Sequence, residues 1–338
     1  MRAFQVHHGK QIDGLTLISK PDITDLDSHE VKVRIRAVSL NYRDLMITQG
    51  IYPAKADHGI IPASDFAGEV IAVGSSVTRF QTGDRVMASF FPDWLEGELT
   101  LDKVTRCYGG DSDGVLREEI ALPESGLVKI PSHLDYISAS TLPCAGVTAW
   151  NSIFESTKLQ PGSTVLVLGT GGVSIMALLL AKAAGHKVFI TSSSNAKLEQ
   201  ARTLGADATI NYIDQPEWQE AVLDLTQGKG VDLVLEVGGK ETVQRSLTAT
   251  GTGGTMAIIG GVSGFTGTLD PISLLFGAKQ AKGIFVGSRA MLESLSRFTE
   301  INNIKPVIDE VFSFDQVPQA YEYMAAGKHF GKVVIKLD

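Results

Sequence analysis

The chain has 338 residues, of which 43% are hydrophobic and 20% charged, and this composition is typical of a globular protein with about two domains. It excludes a disordered, a collagen-like and a coiled-coil chain. Thirty basic residues oppose 38 acidic ones, the net charge is −8, and no run of Lys and Arg stands out. Nucleic acid is therefore not an expected partner.

The cysteine content and the first residues predict the compartment. Only Cys107 and Cys144 are present, so there is no disulfide framework and no CxxC pair to build a structural zinc site. The first residues lack the basic-then-apolar layout of a signal peptide. We therefore expect a cytoplasmic protein.

One uncharged stretch, residues 159–181, is long enough to raise the possibility of a membrane span. It contains Pro161 and four glycines, and its apolar residues fall in two blocks. The stretch therefore predicts a strand, a turn and a helix, with no membrane partner.

The first 125 residues or so predict short strands. Val31, Val33 and Ile35 alternate with basic residues, which is the two-residue period of a half-buried strand, and residues 70–73 and 85–88 look similar. This part is predicted to be mostly β.

From about residue 160 the pattern changes to strand, turn and helix, repeated, which is typical of a parallel sheet flanked by helices. Predicted helices cover residues 173–184 and 195–204, the second ending at Gly205. The predicted strands are residues 164–168, 187–191, 208–212, 231–237, 255–259 and 283–286.

The C-terminal residues predict a strand (307–312), a helix near 316–326 and a strand (333–337) that return to the first domain. The predicted domains are residues 1–125, completed by about 300–338, and residues 126–299.

A glycine turn, G-T-G-G-V-S, follows the apolar strand 164–168 and begins a helix, which is the context that a dinucleotide fingerprint requires. Gly169 permits the tight turn, and Gly171 lets backbone N–H groups approach a pyrophosphate at a helix N-terminus. Ser174 replaces the third glycine and is small enough for helix-to-strand packing. We expect dinucleotide binding.

The residues after the second strand of this series indicate which dinucleotide is bound. An acid about 20 residues after the turn would bind the ribose of NAD, but residues 191–195 contain no acid. Ser192, Ser193 and Ser194 can donate to a 2′-phosphate, and Lys197 adds a positive charge. NADPH is the favoured cofactor, although these serines could instead only cap a helix.

Four stretches carry a family resemblance. Residues 68–86 have a distinctive spacing of glycines and apolar residues, namely Gly74, Val77, Phe80, Gly83 and Asp84, and residues 39–53, 141–150 and 329–335 also match. The chain resembles the medium-chain dehydrogenase/reductase superfamily, in its zinc-independent, quinone-oxidoreductase-like and alcohol dehydrogenase-like branch. The resemblance implies an α/β fold, with a GroES-like β-barrel catalytic domain and a Rossmann doubly wound parallel sheet.

The resemblance also implies an enzyme without a metal. Zinc-dependent members place a Cys ligand where this chain has Asn41, and a His-Glu pair where it has Ser64 and Asp65. Cys144 matches a third ligand position, but one soft ligand cannot make the three-ligand site of a catalytic zinc. We expect Cys144 to be a buried wall residue near the nicotinamide.

Further positions match the cofactor contacts of relatives. Ser193, Lys197 and Tyr212 match 2′-phosphate contacts in NADPH-dependent relatives. Matches to pyrophosphate and nicotinamide contacts are Thr148, Gly171, Gly172 and Val173, and Gly238, Ile259 and Gly260 follow the fourth and fifth strands, where the nicotinamide end would rest.

Without a metal, hydrogen-bond donors must stabilise the charge on the substrate oxygen, which favours activated C=C bonds and quinones over simple ketones. Tyr52 matches the proton-donor tyrosine of enoyl thioester reductases of the superfamily, and Asn41 can donate its amide N–H to the carbonyl. Tyr52 could instead be a packing aromatic before Pro53.

The sequence therefore predicts an NADPH-dependent reductase of enones or quinones. A zinc-free alcohol dehydrogenase and an NADPH-binding protein with little turnover remain alternatives. We also expect a homodimer, because the sixth strand, residues 283–286, would be an apolar sheet edge.

Overall fold

A computed structural model describes residues 1–52 and 59–338, so Pro53 lies outside the described residues. The chain divides into two compact units, unit 1 (Met1–Val147 and Val286–Asp338) and unit 2 (Thr148–Phe285). These limits differ from the predicted ones near residues 125 and 299. One reason is that the Ser132 backbone N–H donates to Glu300 Oε1 (3.0 Å), which ties these two parts of the chain together inside unit 1.

Unit 1 is mostly β, as the sequence predicts. Its N-terminal strands are β1 (Arg2–Gln5), β2 (Thr16–Ser19), β3 (Glu30–Ser39), β4 (Asp65–Val73), β5 (Arg85–Ala88), β6 (Glu119–Pro123) and β7 (Leu127–Lys129). Its first helices are α1 (Tyr42–Gln49) and α2 (Tyr136–Ala139), and α3 (Val147–Trp150) begins at the division.

Unit 2 alternates strands and helices. Its strands are β8 (Thr164–Leu168), β9 (Lys187–Ser192), β10 (Ala208–Asn211), β11 (Val231–Glu236), β12 (Thr250–Ile258) and β13 (Gln280–Gly283). Its helices are α4 (Gly172–Ala183), α5 (Asn195–Thr203), α6 (Trp218–Leu225), α7 (Val243–Ala249) and α8 (Pro271–Gly277).

The chain then returns to unit 1 with α9 (Arg289–Ile301), β14 (Ile308–Ser313), α10 (Val317–Ala325) and β15 (Lys332–Lys336). The main sheet of unit 1 has the order β14-β15-β3-β4-β5-β7, and β6 pairs with β3. Val31, Val33 and Ile35 of β3 are buried, which confirms the predicted alternation. The predicted return of the C-terminal residues to this domain is also observed.

The sheet of unit 2 is parallel, with the order β10-β9-β8-β11-β12-β13. The order reverses beside β8, so ligands of such a sheet bind outside the carboxyl ends of the strands at this point. The stretch 159–181 contains β8, the glycine turn and most of α4, as predicted. Among the described residues, no helix is both long and apolar enough to cross a membrane.

The sixth strand is present at the edge of the sheet, as predicted, but its predicted bounds and apolar character are wrong. Strand β13 ends at Gly283, where the predicted strand 283–286 begins, and all four residues of β13 are exposed. No apolar pattern marks such an exposed edge strand. The apolar residues Ile284 and Val286, which suggested a strand, follow the end of β13 and are buried outside the sheet.

Candidate active site

Asn41 lies between β3 and α1 in unit 1, where it caps the N-terminus of the helix. Its backbone N–H donates to Asp44 Oδ2 at 2.8 Å, and both side chains are buried. This capping bond holds the backbone of Asn41 and thereby the position from which its side chain extends.

The Asn41 carboxamide belongs to a buried polar cluster, which we define as Asn41, Ser64, Asp65, Cys144 and Lys332. Lys332 Nζ donates to Asn41 Oδ1 at 2.6 Å and also to the Leu40 carbonyl. On its other side, Asn41 Nδ2 lies 3.4 Å from Ser64 Oγ, which donates to Asp65 Oδ1 at 2.6 Å. The Cys144 backbone N–H donates to Asp65 Oδ2 at 2.9 Å.

Burial controls the titration of the buried polar cluster. It raises the pKa of Asp65, and the Lys332 ammonium opposes this rise. It lowers the pKa of Lys332, and Asp65 opposes that fall. Burial also raises the pKa of the Cys144 thiol, so this sulfur is a poor nucleophile at neutral pH.

Four members of the cluster are the residues that the sequence comparison matched to the zinc-site positions of zinc-dependent relatives, namely Asn41, Ser64, Asp65 and Cys144. Asn41 Oδ1 already accepts from an ammonium, and both Asp65 oxygens accept hydrogen bonds. Within residues 1–52 and 59–338, no three His, Cys, Asp or Glu side chains are grouped so that they could hold a metal ion. This donor set does not fit a catalytic zinc.

Tyr52 follows α1 and is partly buried against the core of unit 1. Its ring centre lies 5.8 Å from the Arg43 guanidinium, whose Nη1 donates to Cys107 Sγ and whose Nη2 donates to the Tyr108 carbonyl. Burial raises the pKa of the Tyr52 phenol, and Arg43 opposes the rise. Tyr52 is therefore a protonated hydroxyl at neutral pH, as a proton donor requires.

Two further side chains of α1, Tyr42 and Asp44, lie next to Arg43 in the sequence. Tyr42 is exposed, whereas Asp44 is buried, and burial raises the pKa of its carboxyl while Arg43 opposes this.

In unit 2, the glycine turn has the shape that the fingerprint predicts. Gly169 has a φ of 71°, and Gly171 is the N-cap of α4, so Gly172 and Val173 form the first turn of that helix. A Cβ placed on Gly169 or Gly171 would meet no heavy atom within 4 Å, so the space over the turn is open. Ser174 is buried and donates to the Leu168 carbonyl (2.7 Å), which fastens the helix to β8.

The serine segment after β9 lies at the same edge of the sheet. Ser192 ends β9 and is buried, Ser193 is exposed, and Ser194 caps α5 by accepting from the Lys197 backbone N–H at 3.4 Å. Tyr212 donates its backbone N–H to the Ser192 carbonyl (3.1 Å), and its side chain is 39% exposed. Ser194 therefore has the helix-capping role that the sequence left open for the serines, whereas Ser193 is exposed.

The remaining predicted cofactor residues lie in unit 2. Gly238 follows β11, and Ile259 and Gly260 follow β12, so all three lie at the carboxyl edge of the parallel sheet. Thr148 is buried in α3, where its carbonyl accepts from Ser152 Oγ at 2.7 Å.

The sequence did not single out three charged residues that the structure shows to be important. Lys332 and Arg43 organise the residues around Asn41 and Tyr52. Glu236 is buried at the end of β11 and accepts from the backbone N–H groups of Gly238 (2.6 Å) and Gly239 (2.8 Å). The available signal was a charged residue at the first or last position of an apolar strand, as in Lys332 and Glu236.

Comparison with known proteins shows the family. Residues 27–132 match the family described as alcohol dehydrogenase GroES-like domain, and residues 172–301 match zinc-binding dehydrogenase. A zinc-type alcohol dehydrogenase-like protein of Schizosaccharomyces pombe is 43% identical, over 93% of this chain and 92% of that protein. Quinone oxidoreductase of Pseudomonas aeruginosa is 31% identical, over 90% of each chain.

A crystal structure described as an alcohol dehydrogenase of Sinorhizobium meliloti superposes with a TM-score of 0.91, at 40% identity, over 99% of this chain and 98% of that one. The fold and the site thus define a nicotinamide-dependent oxidoreductase. The chain belongs to the medium-chain dehydrogenase/reductase superfamily.

Proposed function

We propose that the chain is an NADPH-dependent reductase that transfers a hydride to an activated C=C bond or a quinone without a metal. The observation that carries this proposal is the buried polar cluster. An amide and an ammonium stand there in place of a metal-binding donor set. The similarity to a quinone oxidoreductase supports the same substrate class.

Unit 2 offers the features that NADPH requires. The open glycine turn at the N-terminus of α4 suits a pyrophosphate, because free backbone N–H groups and the helix dipole favour negative charge there. The exposed Ser193, with Lys197 one turn into α5 and no acid in residues 191–195, suits a 2′-phosphate. When bound, NADPH supplies a hydride from C4 of its nicotinamide.

The residues of unit 1 suit conjugate reduction. As the hydride forms a bond to the β-carbon of an enone, the C=C electron pair moves toward the carbonyl, and negative charge builds up on its oxygen. The Asn41 amide N–H donates to this oxygen. Tyr52 gives its phenolic proton to the resulting enolate, and solvent returns a proton to the phenolate. With a quinone, the same two donors act on the hydroquinone anion.

The choice of an enone or quinone over a simple ketone follows from charge. An enolate or a hydroquinone anion spreads its charge, so neutral donors can stabilise it, whereas a localised alkoxide benefits more from a Lewis acid. The zinc-free alcohol dehydrogenase is kept as a second candidate because the Sinorhizobium meliloti structure is described as an alcohol dehydrogenase.

A homodimer and a cytoplasmic location belong to the same proposal. Strand β13 is an unpaired edge of its sheet, and the preceding helix α8 exposes Ile272, Leu275 and Phe276. A second copy of the chain would pair the edge and cover these side chains. Two free cysteines, Cys107 and Cys144, are compatible with a reducing compartment.

The decisive experiment measures NADPH oxidation over a panel of enones, quinones and aldehydes, and NAD reduction with simple alcohols. We expect turnover of the enones or quinones. Turnover of alcohols with NAD alone would establish the second candidate, and tight NADPH binding without oxidation of any substrate would indicate a binding protein.

The same assay tests the two donors. Tyr52→Phe should lower kcat by about 10²-fold, and Asn41→Ala by a similar factor, with NADPH binding retained. Tyr136→Phe is the matched control, because Tyr136 also lies under an arginine, with Arg85 5.0 Å from its ring centre. Full activity of Tyr52→Phe would remove Tyr52 from the mechanism.

A further inference from the structure

Lys332 lies opposite Asn41 because of the register of two strands. In unit 1, β15 runs antiparallel to β3, with Val334 opposite Ser39, and the Leu40 N–H donates to the Val333 carbonyl. Continuing this register by two residues brings Lys332 beside Asn41. The register therefore places the two residues side by side, and the Lys332 side chain makes the contact.

The contact also fixes which way the Asn41 amide points. An ammonium only donates, so the end of the carboxamide that faces Lys332 Nζ at 2.6 Å must be the carbonyl oxygen. The nitrogen then lies on the opposite side. Its contact with Ser64 Oγ is long at 3.4 Å, and the amide also stabilises the Asp65 carboxylate, so a substrate oxygen would replace one of these two acceptors.

Lys332 is buried without a close ion pair. In the part of the chain that the structure describes, its hydrogen-bond acceptors are the Asn41 amide and the Leu40 carbonyl, and the charges of Asp65 and Asp44 act on it without a direct salt bridge. Taking an ammonium out of water in this way is costly, so a hydrophobic residue of similar size would suit a purely structural role better. The charge acts on the amide that it contacts.

We propose that Lys332 is a positioning residue of this reductase: it holds the Asn41 carboxamide with its nitrogen available to the substrate oxygen and polarises that N–H donor. The inference rests on the proposed function and deepens it. The physical basis is cooperative, charge-assisted hydrogen bonding, since an ammonium on the amide oxygen makes the amide hydrogens better donors. This charge takes the electrostatic part that a metal plays in zinc-dependent relatives, acting through the amide.

The kinetic test is a double-mutant cycle. Lys332→Met should lower kcat by at least about 10-fold, less than the loss of about 10² expected when the donor itself is removed, with NADPH affinity, measured by fluorescence, within about two-fold of wild type. In an Asn41→Ala background, Lys332→Met should have no further effect on kcat, because the two residues act as one unit. Lys336→Met, at the exposed end of the same strand, is the matched control and should behave as wild type.

Additive effects of the two substitutions, or an unchanged kcat in Lys332→Met, would overturn the inference. A large loss of NADPH affinity in Lys332→Met would also overturn it, because it would place the lysine at the cofactor.

A crystal structure of Lys332→Met gives a readout that does not depend on turnover. We expect the Asn41 amide to rotate or to occupy more than one orientation, and unchanged side-chain angles at Asn41 would contradict the proposal. The two proposals can therefore fail separately. An inactive wild-type enzyme across the substrate panel rejects the function, whereas an active enzyme with an indifferent Lys332 rejects only this inference.

Discussion

At the scale of single residues, the positive charge of Arg43 acts on the pKa of the Tyr52 phenol. The guanidinium donates hydrogen bonds to Cys107 Sγ and to the Tyr108 carbonyl. The ring lies 5.8 Å from the guanidinium. Burial disfavours the phenolate and the nearby positive charge favours it, and the net result is a raised pKa for Tyr52.

This raised pKa predicts the alkaline limb of the pH profile. The phenol donates only while it is protonated, so kcat for the enone should stay level through neutral pH and fall as the pH rises above the ordinary tyrosine value of 10.0. Steady-state kinetics at saturating substrate would show this. A descending limb centred well below pH 10, or the same limb in Tyr52→Phe, would contradict the role of Tyr52.

At the scale of secondary-structure elements, the junction of β9 and α5 explains the expected cofactor preference. The strand ends at Ser192, the helix starts at Asn195, and Ser194 caps it, so Ser193 is the exposed side chain between them. A carboxylate here would repel a 2′-phosphate and accept hydrogen bonds from a ribose.

Ser193→Asp should therefore reverse the preference between the two cofactors. We expect kcat/KM for NADPH to fall about 10- to 100-fold and that for NADH to rise, because two negative charges would be close together. Ser28→Asp adds the same charge at an exposed serine of unit 1 and serves as the control. An unchanged cofactor ratio in Ser193→Asp would show that the 2′-phosphate does not bind at this junction.

The second element-scale prediction concerns α8 and β13. Phe276 is 83% exposed on α8, so placing a charge there costs the isolated chain little but should disrupt a dimer that buries it. Phe276→Lys should sediment as a monomer at micromolar concentration, whereas the wild type should sediment as a dimer. Ile301→Lys, at an equally exposed position on α9, should remain dimeric. A monomeric wild type would reject the homodimer.

At the scale of the whole molecule, the candidate cofactor residues and the candidate substrate residues lie in different units. Unit 2 carries the glycine turn and the serine segment, and unit 1 carries the buried polar cluster and Tyr52. If the proposed function is correct, turnover needs no metal. Dialysis against a chelator should leave turnover unchanged, and elemental analysis should find well below one zinc per chain. Zinc at one equivalent, with activity that is lost on chelation and restored by zinc, would overturn the proposal.

The sequence by itself determined the local elements of this protein. The two-residue alternation in β3 and the run of strand, glycine turn and helix at β8 and α4 are set by which side chains face the core, and this periodicity is visible in a single sequence. It also provided Asn41, Tyr52 and the serine segment as candidates. The resemblance, rather than the pattern alone, assigned their roles.

Only the tertiary structure decided how distant residues meet. Lys332 contacts Asn41 although the two residues are 291 positions apart in the sequence, and the Cys144 N–H donates to Asp65, which is 79 positions away. Strand register and packing bring these residues together. The bounds of the edge strand β13 were missed because its exposed residues carry no burial pattern. The alternation of buried and exposed residues is encoded in neighbouring positions of the chain. The pairing of strands that are far apart in the sequence depends instead on the free energy of the whole fold.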